Sequence, residues 1–226
     1  MMRKLAKWHI WLGWLVGVPI VMWTATGLFM VAKPIDEVRG NHLRVEQEPD
    51  PLVIEGSNLA TEEMQIAEMR AVMQDGRAVA ILTGMDGSTN RVDIATGGRI
   101  DPLTAEDARE LAAARIVGGQ DVRSVTFFEA DDVPFDFRRP MPVWQVALED
   151  GAHIYVGRDT GEIEAVRTSW WRWFDLMWGL HIMDLSDRED TSHPILILFA
   201  ALALIGSLFG SILMFRRRRA RPRAAS

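Results

Sequence analysis

The sequence contains no cysteine and a single tyrosine among its 226 residues. Without thiols it forms no disulfide, holds no zinc-thiolate site and runs no cysteine-based catalysis, although this does not identify a compartment. Charge is missing from two stretches. No Asp, Glu, Lys or Arg occurs in residues 9–32 or in residues 194–215, runs of 24 and 22 residues. A bilayer core of about 30 Å needs about 20 residues of helix, so both runs are expected to span a membrane. Also absent are H-E-x-x-H, G-x-S-x-G and a glycine-rich phosphate loop, and the apolar runs lack the charged relay that marks a transporter.

The charge that is present is partitioned. Arg3, Lys4 and Lys7 precede the first run, six arginines between Arg216 and Arg223 follow the second, and neither tail holds an acid. Residues 33–193 therefore carry all 31 acids beside 16 of the 25 bases, a net charge near −15 in a chain whose total is −6. Basic flanks are retained on the cytoplasmic side. The expectation is a bacterial inner-membrane protein with both termini cytoplasmic and the acidic middle periplasmic. "RRRRARPR" (216–223) directly follows an apolar span, so it reads as a stop-transfer anchor and no nucleic-acid partner is expected. The first run exceeds the 7–15 residues of a signal-peptide core and no clear A-x-A site follows, so it reads as a retained anchor.

Six segments result: a basic tail (1–8), a first span (9–32), a soluble domain (33–168), an interfacial amphipathic segment (169–193), a second span (194–215) and a second basic tail (216–226). In the soluble domain, residues 62–73 and 105–117 are rich in helix formers, with Thr61 and Thr104 placed as N-caps. Strand patterns occupy 79–82, 90–94, 124–128, 142–148 and 153–156, with hairpin turns at "GMDG" (84–87) and "LEDGAH" (148–153). "VDIATGGRI" (92–100) and "VGRDTGEI" (156–163) share V-x-x-x-T-G and a following isoleucine, with Gly97 and Gly161 at matching places. The fold class expected is membrane α plus α+β: two transmembrane helices flanking helices packed on antiparallel strands in an imperfect tandem repeat.

"PVWQVALEDGAHIYVGRDTGEIEAV" (142–166) resembles the closing strands of a PepSY domain, with Asp159, Thr160, Gly161 and Ile163 at the positions of its turn. "HIWLG" (9–13) and "TGLFM" (26–30) resemble the entry and exit of the first helix in the PepSY-associated transmembrane family, Ile10 departing from the arginine common in longer members. "GLHIMDLSDREDTSHPILILFAALAL" (179–204) resembles the membrane re-entry of its short, two-span members. That resemblance implies an envelope accessory or binding protein, with a link to iron or siderophore uptake. Larger four-span relatives resemble ferric-siderophore reductases that bind b-type haem through histidine pairs, so a haem-carrying electron-transfer dimer is the alternative. Regulation of an envelope protease through the PepSY fold is a third. No catalytic residue or metal ligand set is expected, and the enzyme question leans toward no.

On a helical wheel His9, Gly13, Ile20, Thr24 and Gly27 share one stripe of the first span, with Gly17 at its edge. Ala200, Ala203, Ser207 and Gly210 share one of the second. Gly13-x3-Gly17 and Gly206-x3-Gly210 fall at similar depth, so the two helices are expected to meet there, within a chain or across a homodimer. Beyond the lipid bilayer, a second copy or an envelope protein is the expected partner. In residues 170–185 tryptophans suit the headgroup region, with Arg172, Asp175 and Gly179 on a polar side and His181 opposite. An imidazole on an apolar face needs a hydrogen-bond partner, with Asp184 near in sequence, or it ligates haem iron. His181, His193, His9 and His42 are the candidate ligands. His9 lies at the cytoplasmic end, about 30 Å from the others across the bilayer, and reaches a shared haem only through a second chain. His153, in a strand, reads as structural.

Overall fold

The structure, a computed structural model, describes residues 2–46, 51–54, 56–59 and 65–219. Its helices are α1 (Met2–Met30), the single turn α2 (Ile35–Val38), α3 (Ala105–Arg115), α4 (Ser169–Ile182) and α5 (Pro194–Arg219). Its strands are β1 (Ile66–Gln74), β2 (Arg77–Gly84), β3 (Thr89–Asp93), β4 (Arg99–Ile100), β5 (Val122–Phe128), β6 (Val143–Leu148), β7 (His153–Gly157) and β8 (Ile163–Arg167). A 3-10 turn occupies Asn41–Leu43. The chain divides into two compact units. One joins Met1–Pro34 to Arg172–Ser226, and the other is Ile35–Trp171.

The first unit is built on α1 and α5, which pack against each other. Their apolar stretches, Arg3–Met30 and Pro194–Arg216, hold 28 and 23 residues. At 1.5 Å per residue these are about 42 and 35 Å long, enough to cross a bilayer core of about 30 Å. Pro19 lies inside α1 without ending it. Two of the four glycines expected at the helix contact are there: a Cβ on Gly206 would lie 3.8 Å from Leu12, and one on Gly210 would lie 2.9 Å from the His9 ring. Gly13 and Gly17 have no neighbour within 4 Å and, with Ile10, Trp14 and Val18, form a shallow apolar groove on α1. The contact face of α1 instead runs through His9, Leu12 and Val16. The reason is packing: glycines of α5 make room, and the side chains that fill it belong to α1.

The second unit contains two four-stranded antiparallel meanders, ordered β1-β2-β3-β4 and β5-β6-β7-β8. The imperfect repeat is visible in their turns. Gly97 N–H donates to Asp93 O at 2.8 Å and Gly161 N–H to Gly157 O at 3.0 Å, with both glycines in the left-handed region at φ 73° and 67°. Alternation sorts the second sheet. Ile154 and Val156 of β7 join Val146 and Leu148 of β6 against Ala108 and Ala112 of α3, whose small side chains let the helix approach. Tyr155 points to the other face, packed with Phe137, Val143 and Ala165 beneath the excursion at 129–142. Helix α3 starts as expected: Asp107 N–H donates to Thr104 Oγ1 while Thr104 N–H donates to Asp107 Oδ2, a capping box.

The helix expected over 62–73 is overturned in its described part, which is strand. Thr61 and residues 62–64 lie outside the described residues. From Ile66 onward the segment pairs with β2, with Arg70 opposite Ile81 and Val72 opposite Val79. Cross-strand pairing outweighs the helix propensity of Glu, Met and Ala. The signal was Asp75-Gly76: both residues have positive φ, 50° and 72°, as a two-residue hairpin turn requires.

Gly119 follows α3 where a Cβ would lie 2.0 Å from Ala112 O, a backbone atom that cannot swing aside. Gly118 has open space but φ 77°. Gly119→Ala is therefore expected to destabilise the unit by more than about 2 kcal/mol and Gly118→Ala by about 1 kcal/mol, measured by urea unfolding of the full chain in detergent.

Candidate functional site

His181, in the last turn of α4, turns toward α1. Its Nδ1 lies 2.9 Å from Thr26 Oγ1, and Thr26 is buried at 3 % exposure. Thr26 has one hydroxyl proton, directed to Met22 O at 2.8 Å, so its oxygen accepts from His181 Nδ1–H. Trp23 Nε1 donates to His181 O at 2.8 Å, satisfying a carbonyl that a helix C-terminus leaves open. The His181 partner is thus Thr26 rather than Asp184. At the other end of α1, His9 Nδ1 lies 3.0 Å from Gly206 O, an acceptor only, so Nδ1 carries the proton there too. No hydrogen bond engages Nε2 of either ring among the described residues. Seventeen residues separate His9 from Thr26, about 25 Å along a helix. Those two histidines do not fit the two axial positions of one haem within a chain. His193 Nδ1 is buried without a hydrogen-bond partner, and His42 is exposed on the 3-10 turn. Among the described residues, no three His, Asp or Glu side chains gather as a metal site.

Asp184 instead organises the chain after α4. Met183 takes φ 58°, with Met183 N–H bonded to Leu180 O and Asp184 N–H to Gly179 O, a Schellman ending made without glycine. The Asp184 carboxylate then accepts from the N–H groups of Ser186, Asp187, Glu189 and Asp190 and from the Ser186 hydroxyl. Arg188 folds back onto Asp175, and a Cβ on Gly179 would lie 2.7 Å from its Cγ. The expected polar side of α4 is therefore covered by this loop.

In the second unit a polar network lies beneath the excursion. Asp136 accepts from the Tyr155 hydroxyl and pairs with His153 Nδ1 at 3.2 Å, while Gln145 Nε2 donates to the Tyr155 oxygen at 2.7 Å. Burial first, and then the bond to Asp136, raise the pKa of the Tyr155 phenol well above its ordinary value. His153 serves this network, as its strand position suggested. The network seals one face of the sheet and lines neither cleft described next.

Where the two meanders meet α3, two adjoining clefts of about 470 and 390 Å3 share Gln74, Leu111, Arg115 and Gly161. Edge strand β1, the β7-β8 turn and the helix each contribute a wall. Arg70 closes one rim on Glu162, and Gln74 Nε2 donates to Thr160 O at 2.9 Å. Sequence reading named none of these residues as a site; the basic positions are spread over four elements, and only the fold collects them. Mixed polar and apolar walls in an open cleft are those of a site that can hold a ligand.

The Asp184 loop has a pH signature. The Ser186 hydroxyl first, then the N–H groups of Asp190, Glu189 and Asp187, hold its carboxyl well below the usual carboxylate range against the opposing effect of desolvation. A depressed folded value contributes stability above the unfolded value of about 4 and loses it as pH falls toward the folded value. Hydrogen exchange at the amides of Asp187, Glu189 and Asp190 should show protection at neutral pH that fades in acid. In Asp184→Asn that protection should be weak at every pH and carry no acid transition.

Comparison with curated proteins and with solved structures returns no match. A family model does match, and it covers residues 6–226. With apolar helices on either side of a two-meander unit in the sequence, and with the match spanning nearly its whole length, the chain belongs to the family described as the PepSY-associated TM region.

Proposed function

We propose that the chain is a bacterial inner-membrane binding module, its two helices anchoring a periplasmic PepSY domain that works in association with an envelope partner, in the setting of iron or siderophore uptake. The partition of charge supports the orientation: basic tails flank both spans and about −15 lies between them. The observation that carries the binding role is the cleft where both meanders and α3 converge. It is open, of small-molecule or peptide-side-chain size, and walled by elements of both halves of the repeat.

A second reading, electron transfer through haem in a homodimer, has one observation in its favour. His9 and His181 each commit Nδ1 to a protein acceptor, which leaves Nε2 as the lone-pair nitrogen of a neutral imidazole, the form that ligates iron. Haem would supply one-electron chemistry; the residues that would hold it are His9 or His181 with the copy in a second chain, because the pair does not fit within one.

The readings separate in one preparation of the full chain in mild detergent from haem-replete cells. The binding module is expected to show no Soret band, oxidised or dithionite-reduced, and to raise its unfolding temperature by several degrees with one chemical class in a panel of acidic, basic and neutral peptides and small organic acids. Sharp reduced haem bands that disappear in His9→Ala or His181→Ala, with no response to the panel, would replace it with the redox reading.

A further inference from the structure

Several arginines of the second unit take carboxylate partners. Arg139 pairs with Glu164 at 2.8 Å and Arg158 with Asp159 at 3.0 Å. Arg91 does not. It sits in the middle of β3 at 7 % exposure, more buried than those partners leave their own arginines. Nη2 donates to Asp101 O at 2.7 Å and Nη1 to Gln74 Oε1 at 3.2 Å, both neutral acceptors. Its Nε is buried and finds no acceptor. No carboxylate lies within ion-pair distance of it among the described residues. Burial pulls its pKa below the ordinary guanidinium value, opposed by Asp75 and Asp107 acting through space. A buried cation with no carboxylate in ion-pair contact among the described residues is a costly arrangement.

Arg91 lines the inner cleft, and Arg115, in the last turn of α3, lines both. Arg115 makes no ion pair among the described residues, and the guanidinium of Arg44, at the outer end, donates to Ile163 O at 3.2 Å. Four carboxylates stand nearby, and their commitments matter. Glu162 is paired with Arg70, and Asp107, hydrogen-bonded in the Thr104 cap, stands with Asp75 and Glu110 on the wall of the inner cleft. That balance disfavours a polyanion such as a nucleic acid or polyphosphate. A carboxylate, planar and singly charged, matches the fork of a guanidinium, and Leu103 and Leu111 offer apolar surface to its carbon skeleton. Gly161 keeps the approach tight: a Cβ there would lie 2.4 Å from Arg91 Nη1, at a φ of 67°.

We propose that the cleft binds a carboxylate-bearing ligand, held by the guanidinium groups of Arg91 and Arg115 with Arg44 at its outer end. This deepens the binding-module reading and rests on it. The carboxylate comes from a small organic acid or from an acidic polypeptide segment, and the two are told apart by titration.

The full chain in detergent at low salt is titrated calorimetrically with citrate, with an acetylated glutamate-rich decapeptide and with the glutamine version of that peptide. Citrate binding identifies a small acid; binding of the glutamate peptide without citrate identifies a polypeptide. In either case Arg115→Ala is expected to weaken affinity about tenfold and Arg91→Gln more, and Arg123→Gln, whose arginine pairs with Glu149 away from the cleft, leaves it unchanged. Arg91→Gln should also unfold no earlier than wild type in the absence of ligand, which an arginine with a purely structural role would not allow. If that variant does not fold, Arg115→Ala carries the test. Unchanged affinity in Arg115→Ala, equal binding of the glutamine peptide, or no binding of any acid at millimolar concentration overturns the proposal. A response of the folded protein to some other chemical class in the wider panel would leave the binding-module reading standing; silence across that panel would remove both.

Discussion

A polar group that leaves water must find a partner, and much of this molecule is arranged by that requirement. In the membrane unit the choice of partners is narrow, because helices spend their backbone groups on themselves. His9 takes the Gly206 carbonyl of α5, and Gly210 one turn on leaves room for its ring, where a Cβ would lie 2.9 Å from it. His181 takes a hydroxyl of α1, and Thr26 can accept because its own proton goes back to the preceding turn. The two bonds tie α1 to α5 at one end and to α4 at the other. Asp184 applies the same rule to a loop, turning five donors inward around one carboxylate.

In the second unit the requirement separates what is finished from what is open. The Asp136, His153, Gln145 and Tyr155 network has acceptors matched to donors, and it closes a sheet face with Phe137 stacked on Tyr155 at 4.7 Å between centroids. Such a set fixes the excursion and offers no vacancy for chemistry. Arg91, on the wall of a cleft, has the opposite character: a permanent charge, two neutral acceptors and, among the described residues, a buried Nε without an acceptor. Repetition explains how the cleft arises. Two meanders with the same strand order each end in a T-G turn, and the second of these turns, at Gly161, faces the long first hairpin and α3 across the cleft. The site is thus a property of the pair of repeats rather than of either.

The spans, strands β2, β3, β5, β6 and β7, the Thr104 cap and the repeat were legible because each depends on local pattern: unbroken apolarity, alternation, Asp-Gly turns and a threonine before acids. Strand β1 was misread because its Glu, Met and Ala residues favour helix in isolation, and what makes it a strand is a partner across Asp75-Gly76. The partner of His181 was hidden for a related reason. Asp184 was close in sequence, whereas Thr26 is 155 residues away and on another helix. The cleft was the least legible feature. Nothing local marks Arg44, Arg91 and Arg115, which lie on separate elements, and only the fold brings them to one pair of clefts.

Both functional readings hinge on unspent valence, and they differ in where it lies. At His9 and His181 the free Nε2 is a weak demand, since a neutral imidazole nitrogen tolerates an apolar neighbour at the loss of one hydrogen bond, about 1–3 kcal/mol. At Arg91 the demand is a full charge, which neither tautomer choice nor ordinary pH removes. His9 and Thr26, the partner of His181, are about 25 Å apart along α1, so the demand of the two histidines can be met together only by a second chain, whereas Arg91 and Arg115 already share a cleft within one. The larger unmet energy and the smaller number of molecules needed both favour the cleft of the second unit, and with it the proposed binding role, over the histidines.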